Sequence, residues 1–192
     1  MNKLTLYSYW RSTAAYRVRI ALNLKGLAYE TKAVHLVKEG GEQHKEAYRG
    51  VNPQGLVPSL VSAEGAVITQ SMAIMEFLQE LQPEPSLLPD AAVARAQCRA
   101  AAQSSISDIP PLDNLRFLPY VKNQGWQPEH VDHWYAHWIH QGFQALEQQV
   151  KDGATDYMHA DYPCISDICL VAQIYNANRL EVSLKDYPRL TE

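Results

Sequence analysis

Tyr7-Ser8-Tyr9-Trp10-Arg11-Ser12-Thr13-Ala14-Ala15-Tyr16-Arg17-Val18-Arg19 joins a strand to a helix. Leu4 and Leu6 alternate before it, as on a half-buried strand. From Ala14 to Lys25 the pattern is helical, and Gly26 stands where a C-terminal cap belongs. Ser12 is a good N-cap by type. The pair Ser12-Thr13 is therefore expected at the positive end of a helix, beside free backbone N–H groups. Such a place stabilises an anion, a thiolate among them. The plain alternative is that Ser12 caps the helix and does nothing else.

Outward from this junction the signals alternate. Residues 3–8 read as strand, 13–25 as helix and 29–35 as strand. Residues 58–62 and 66–69 read as short strands around a turn at Ala63-Glu64-Gly65. Residues 71–81 read as helix, with Met72, Met75, Phe77 and Leu78 on the inner side. The order βαβ then ββα describes a small α/β domain, 1–81. Gln82-Pro83-Glu84-Pro85-Ser86-Leu87-Leu88-Pro89 forbids a continuous helix and reads as a linker, 82–89. Beyond it, 90–192 is all-helical by pattern, with helices over 91–108, 112–123, 128–151 and 164–180.

Two further motifs accompany Ser12-Thr13. In Asn52-Pro53-Gln54-Gly55-Leu56-Val57-Pro58-Ser59-Leu60, Pro58 opens a strand, where its missing N–H costs no ladder bond. A cis Val57-Pro58 peptide would turn the Val57 backbone outward to pair with an extended peptide. An ordinary trans proline at a strand edge is the alternative. Gln70-Ser71 opens the next helix, and Ser71 is a cap by type that would hold a carboxylate with that helix dipole. Each motif is weak alone, but all three fall at loop-to-helix or loop-to-strand junctions of one small unit.

With these residues the chain resembles the cytosolic glutathione transferases, and Arg11-Ser12 through Gly26 resembles their zeta class, the maleylacetoacetate isomerase family. The resemblance continues through 52–60, 70–78, 108–118, 142–147 and 175–187. It implies an α/β N-terminal thioredoxin-like domain plus an all-α C-terminal domain, a homodimer, and glutathione as cofactor. Ser12, Thr13 and Arg11 would be catalytic, with Ser12 bonded to the glutathione sulfur. Gln54, Val57, Pro58, Gln70 and Ser71 would hold the rest of glutathione. Arg11, Asn114, Arg116 and Arg179 would seat a small diacid or electrophile. A thiol of pKa ~8.5 is mostly protonated at neutral pH. Lowering that value by two units takes ~2.7 kcal/mol, within reach of one hydroxyl bond plus a helix N-terminus. Tyr7 competes for this role, but it ends a strand, so the helix-terminus argument favours Ser12. Thiolate addition, rotation and elimination would turn a cis-alkene keto-diacid into its trans isomer, and arginines would seat the carboxylates.

The chain also departs from the family. Ala14 stands where a cysteine is common, and Pro110 where His or Gln is usual. Cys164-Ile165-Ser166-Asp167 replaces a Ser/Thr-x-x-Asp capping box, and Cys164 is a poor cap by type. The chain ends soon after Tyr187-Pro188-Arg189, where members continue through further helix. General conjugation of electrophiles, or a non-catalytic binding module, are the alternatives to isomerisation. The 192 residues are 46% hydrophobic and 20% charged with net charge −4, which gives no support for nucleic-acid or membrane partners. Cys98, Cys164 and Cys169 form no CxxC and no zinc-like spacing, which fits a reducing cytoplasm and leaves no metal site in view. Cys164 and Cys169 read as small buried apolar residues. His130, His133, His137 and His140 recur at helical spacing beside Trp134 and Trp138, and read as a partly solvated helix face.

Overall fold

The computed structural model describes residues 3–150 and 155–191. Contacts divide the chain into two compact units, Met1–Leu87 and Leu88–Glu192, so the break falls inside the proline-rich stretch.

The first unit is built on a four-stranded sheet of order β2-β1-β3-β4. Its strands are β1 (Leu4–Ser8), β2 (Tyr29–Ala33), β3 (Ser59–Val61) and β4 (Val67–Thr69). β1 and β2 are parallel, joined through helix α1 (Thr13–Leu24), while β3 and β4 run antiparallel to their neighbours. Leu4, Leu6 and Leu60 point to a face covered by α1 and α3 (Ser71–Leu81), which bury Ala15, Val18, Ala21, Leu22, Ile74, Met75 and Leu78. Gly26 closes α1 at φ +63, with Leu27 N–H on the Leu22 carbonyl and Gly26 N–H on that of Asn23, both at 3.0 Å. The segment between β2 and β3 also carries a short helix, α2 (Glu46–Arg49). Lys25 is almost fully buried, and its ammonium fastens the proline-rich stretch. Nζ donates to Gln79 Oε1 (2.7 Å) and to the carbonyls of Gln82 (2.6 Å), Pro83 (3.1 Å) and Pro85 (2.6 Å).

The second unit is helical: α4 (Ala92–Gln103), α5 (Pro110–Asp113), α6 (Phe117–Asn123), α7 (Pro128–Val150), α8 (Ile165–Arg179) and α9 (Pro188–Thr191). Its core gathers Ala101, Ile109, Ile139, Phe143, Leu146, Leu170, Ala177 and Tyr187. Two expected helices are interrupted. The one expected over 91–108 stops being α-helical at Gln103 and continues to Asp108 as a π segment, where Ser105 Oγ donates back to the Ala101 carbonyl at 3.1 Å. The one expected over 112–123 starts at Pro110 and breaks after Asp113. Asn114 is extended (φ −89, ψ 164) and its Oδ1 accepts the Arg116 N–H at 2.8 Å, an Asx turn. Lys151, the expected last residue of the long helix, lies outside the described residues. Cys164 is a better start than its type suggests: Asp167 Oδ2 accepts the Cys164 N–H at 2.9 Å, completing the carboxylate half of a capping box. Among the described residues no helix is long and apolar enough to cross a membrane.

Candidate active site

The strand register collects the three sequence motifs of the first unit. Tyr7 of β1 pairs with Ser59 of β3, and Ser59 with Thr69 of β4. Ser12 follows the end of β1, Val57-Pro58 precedes the start of β3, and Gln70-Ser71 follows the end of β4. All three therefore emerge at one end of the sheet.

Ser12 is the N-cap of α1, with extended φ/ψ, and its Oγ accepts the Ala15 N–H at 3.1 Å. A hydroxyl has one donor hydrogen beyond its acceptor capacity. The capping bond uses only an acceptor site, so the Ser12 O–H still has a hydrogen to give. The Thr13 and Ala14 amides have no acceptor among the described residues, as expected of the first turn of a helix. The loop before Ser12 is pinned by Arg19, which donates to Ser8 Oγ (2.9 Å) and to the carbonyls of Tyr9 (3.4 Å) and Trp10 (3.3 Å). Ser12 N–H itself caps back on the Tyr9 carbonyl at 3.0 Å. Tyr7, the competitor, packs on Tyr48 with ring centroids 5.5 Å apart, and Lys32 Nζ sits 5.6 Å from its ring. Arg11 is exposed, with its guanidinium 5.5 Å from the Trp10 ring.

The 52–59 loop is held from within. Asn52 Nδ2 (2.8 Å) and Tyr48 Oη (2.6 Å) both donate to the Leu56 carbonyl, and Asn52 Oδ1 accepts the Gln54 N–H at 3.0 Å. Gly55 adopts φ +63, and a Cβ there would lie 2.9 Å from the Gln43 carbonyl oxygen, so only glycine fits. Val57-Pro58 is cis. Among the described residues the Val57 amide and carbonyl take no hydrogen bond, although the residue is buried. That is a ready edge for one more extended strand.

The expected cap at Ser71 is corrected. Gln70 occupies the N-cap position, at φ +69 and ψ 118, and Ser71 is the first helical residue. No side chain caps α3, so its first-turn amides remain open to an anion. Gln70 holds a positive φ without being glycine, a strained conformation of the kind that clusters at ligand sites. Its Nε2 donates to Gln54 Oε1 at 3.2 Å, which brings two expected cofactor residues together. Arg17 is the residue that sequence reasoning passed over. It is buried in α1, and its Nε donates to Ser71 Oγ at 3.2 Å, which places a cation behind the open end of α3. A charged residue on the inner face of an amphipathic helix was the available signal.

In the second unit Asn114 and Arg116 share the Asx turn before α6. Arg179 is exposed at the end of α8, and its Nη2 donates to Asn176 Oδ1 at 2.6 Å. Asn176 Nδ2 in turn donates to Asp113 Oδ2 at 2.8 Å. Nearby Tyr135 is buried, and burial followed by the Asp113 charge pushes its phenol up to about 12, against the pull of Arg179. Of the histidines, His130, His133 and His137 are exposed, with Trp126 and Trp134 beside them, while His140 Nδ1 pairs with Tyr187 Oη at 2.9 Å.

Residues 11–81 match the family model described as the glutathione S-transferase N-terminal domain. The chain is 45% identical to a probable maleylacetoacetate isomerase of Vibrio cholerae, over 100% of this chain and 89% of that one. The chain belongs to the zeta-class glutathione transferase family. A solved holo structure of maleylpyruvate isomerase, described as a bacterial zeta-class glutathione S-transferase, superposes with TM-score 0.92 at 41% identity, over 97% of this chain and 88% of that one. A maleylacetoacetate isomerase from Anaeromyxobacter dehalogenans, with dicarboxyethyl glutathione and citrate bound in its active site, superposes with TM-score 0.85 at 40% identity, over 98% and 83% of the two chains.

Proposed function

We propose that this zeta-class transferase carries out glutathione-dependent cis–trans isomerisation of a maleyl keto-acid of the maleylacetoacetate or maleylpyruvate type. One observation carries the assignment of the sulfur site: Ser12 caps α1 through an acceptor site and keeps its O–H for a thiolate, at the sheet end where Val57 and Gln70-Ser71 also emerge. Glutathione, when bound, would supply a thiolate nucleophile able to add reversibly to an activated double bond.

The chain's own residues prepare that chemistry. Ser12 donates its hydrogen to the sulfur, and the open Thr13 and Ala14 amides add the positive end of α1. The unpaired Val57 backbone receives the cofactor's peptide as a short added strand. The α3 amides, Ser71 and the Gln54–Gln70 pair hold the carboxylate and amine at its far end, with Arg17 fixing the Ser71 hydroxyl. Arg11 in the first unit, and Arg116, Arg179 and Asn114 in the second, are the candidate donors to the carboxylates of the substrate. The bound dicarboxyethyl glutathione of the Anaeromyxobacter relative favours the diacid over a neutral electrophile. A homodimer in a reducing cytoplasm completes the reading, and sedimentation equilibrium checks the dimer.

The test assays maleylacetoacetate, maleylpyruvate and a chlorodinitrobenzene-type electrophile side by side, with and without glutathione. Isomerisation with catalytic glutathione and no net thiol consumption is expected. Conjugation alone, with thiol consumed mole for mole, would replace this reading with that of a general transferase.

A further inference from the structure

We infer that Cys98, His159 and Cys164 form a binding site for a thiophilic divalent cation, zinc first, that ties α4 to the start of α8. The three residues come from separate places: Cys98 from α4, His159 from the segment before α8, and Cys164 from the α8 N-cap. Their ligating atoms all lie within 4.8 Å of one another. Both cysteines are fully buried, and His159 is half-buried. Ser166 Oγ lies within hydrogen-bond range of all three, at 3.5 Å from Cys98 Sγ, 3.2 Å from Cys164 Sγ and 3.1 Å from His159 Nδ1. Asp167 Oδ2, 2.9 Å from Cys164 Sγ, is a carboxylate oxygen of the type zinc takes as a fourth ligand.

Two thiolates and an imidazole are the donor set that zinc selects. Zinc bonds of about 2.3 Å to sulfur and 2.0–2.1 Å to nitrogen put the donors roughly 3.8 Å apart, so the cluster closes by an inward shift of an ångström or less. On binding, both thiols give up their protons to solvent. Asp167 Oδ1 accepts the Met158 N–H at 2.9 Å and its Oδ2 accepts the Cys164 N–H at 2.9 Å, which fixes the carboxylate beside the cluster.

Reduced, tag-free full-length protein titrated with zinc against a chromophoric chelator is expected to bind one equivalent. Cobalt in its place is expected to give a thiolate-to-cobalt charge-transfer band in the near ultraviolet. Cys98→Ser should weaken zinc by more than the roughly 10–100-fold typical of lost outer partners. Cys169→Ser and the double change His133→Ala/His137→Ala should leave binding unchanged. No binding, a cobalt spectrum without the thiolate band, or zinc lost with His133 and His137 but kept in Cys98→Ser would overturn the site. If Cys98→Ser does not fold, the wild-type cobalt spectrum decides alone.

Discussion

Ser12 accepts one hydrogen bond from Ala15 N–H and keeps its own hydrogen, so removing the hydroxyl removes two things at once. Ser12→Ala should cut turnover roughly 10²–10³-fold, the scale for one lost donor at a developing anion. It should also lower stability by about 1 kcal/mol through the lost cap. The two effects separate by measuring steady-state kinetics and thermal melts on the same preparation. Tyr7→Phe should change turnover far less, because the Tyr7 ring is engaged with Tyr48 and Lys32. A larger loss from Tyr7→Phe would move the sulfur site to the strand end. His159 gives a second prediction. It faces Ser166, Asp167 and the two thiols Cys98 and Cys164, and burial lowers it from 6.5 despite the Asp167 charge. A depressed folded-state value means its stabilising contribution is complete above 6.5 and is lost as pH falls through that lower value. Denaturant midpoints should therefore decline below pH 6.5 more steeply in the wild type than in His159→Gln, measured in the presence of a chelator.

The start of α3 shows how function and stability oppose each other. Gln70 sits at φ +69, which costs a non-glycine residue about 1–3 kcal/mol. Gln70→Gly should raise the melting temperature or leave it unchanged while weakening glutathione in calorimetric titration. Unchanged affinity would separate Gln70 from the cofactor. This position also marks a limit of the sequence. The strand and helix periodicities of the first unit were legible, and α3 spans Ser71–Leu81 as the pattern indicated. The cap was misplaced by one residue because Ser is a cap by type and Gln is not, and a strained Gln is held by tertiary contacts that no propensity reports. In the second unit the long helix was legible, but the breaks at Gln103 and Asn114 depend on Ser105 and Asn114 turning back on their own backbone. The three motifs Ser12-Thr13, Val57-Pro58 and Gln70-Ser71 were legible as element junctions because each is local. Arg17 beside Ser71, and Cys98 beside His159 and Cys164, were not, since those partners meet only in the fold. Lys25 belongs with them: Lys25→Met should cost about 1.5–3 kcal/mol in chemical denaturation, because part-buried carbonyls of the proline-rich stretch lose a charged donor.

Asn114, Arg116 and Arg179, the proposed substrate residues of the second unit, lie at the end of α5, before α6 and at the end of α8. Arg179 is held by Asn176 and through it by Asp113, yet is exposed and has guanidinium donors to spare. Planar paired donors match a carboxylate, and a hydrogen bond to a charged group contributes about 1.5–3 kcal/mol. Arg179→Met should thus raise KM for a maleyl diacid roughly 10–100-fold, with a smaller change in kcat. The same variant should leave KM for a neutral chlorodinitrobenzene-type electrophile within about twofold, because that substrate has no carboxylate to lose. Arg179→Lys keeps the charge but not the paired geometry, and should fall between wild type and Met on the diacid alone. Equal damage to both substrates would make Arg179 a support for Asn176 and Asp113 rather than a contact, and would shift weight from the isomerase to general conjugation.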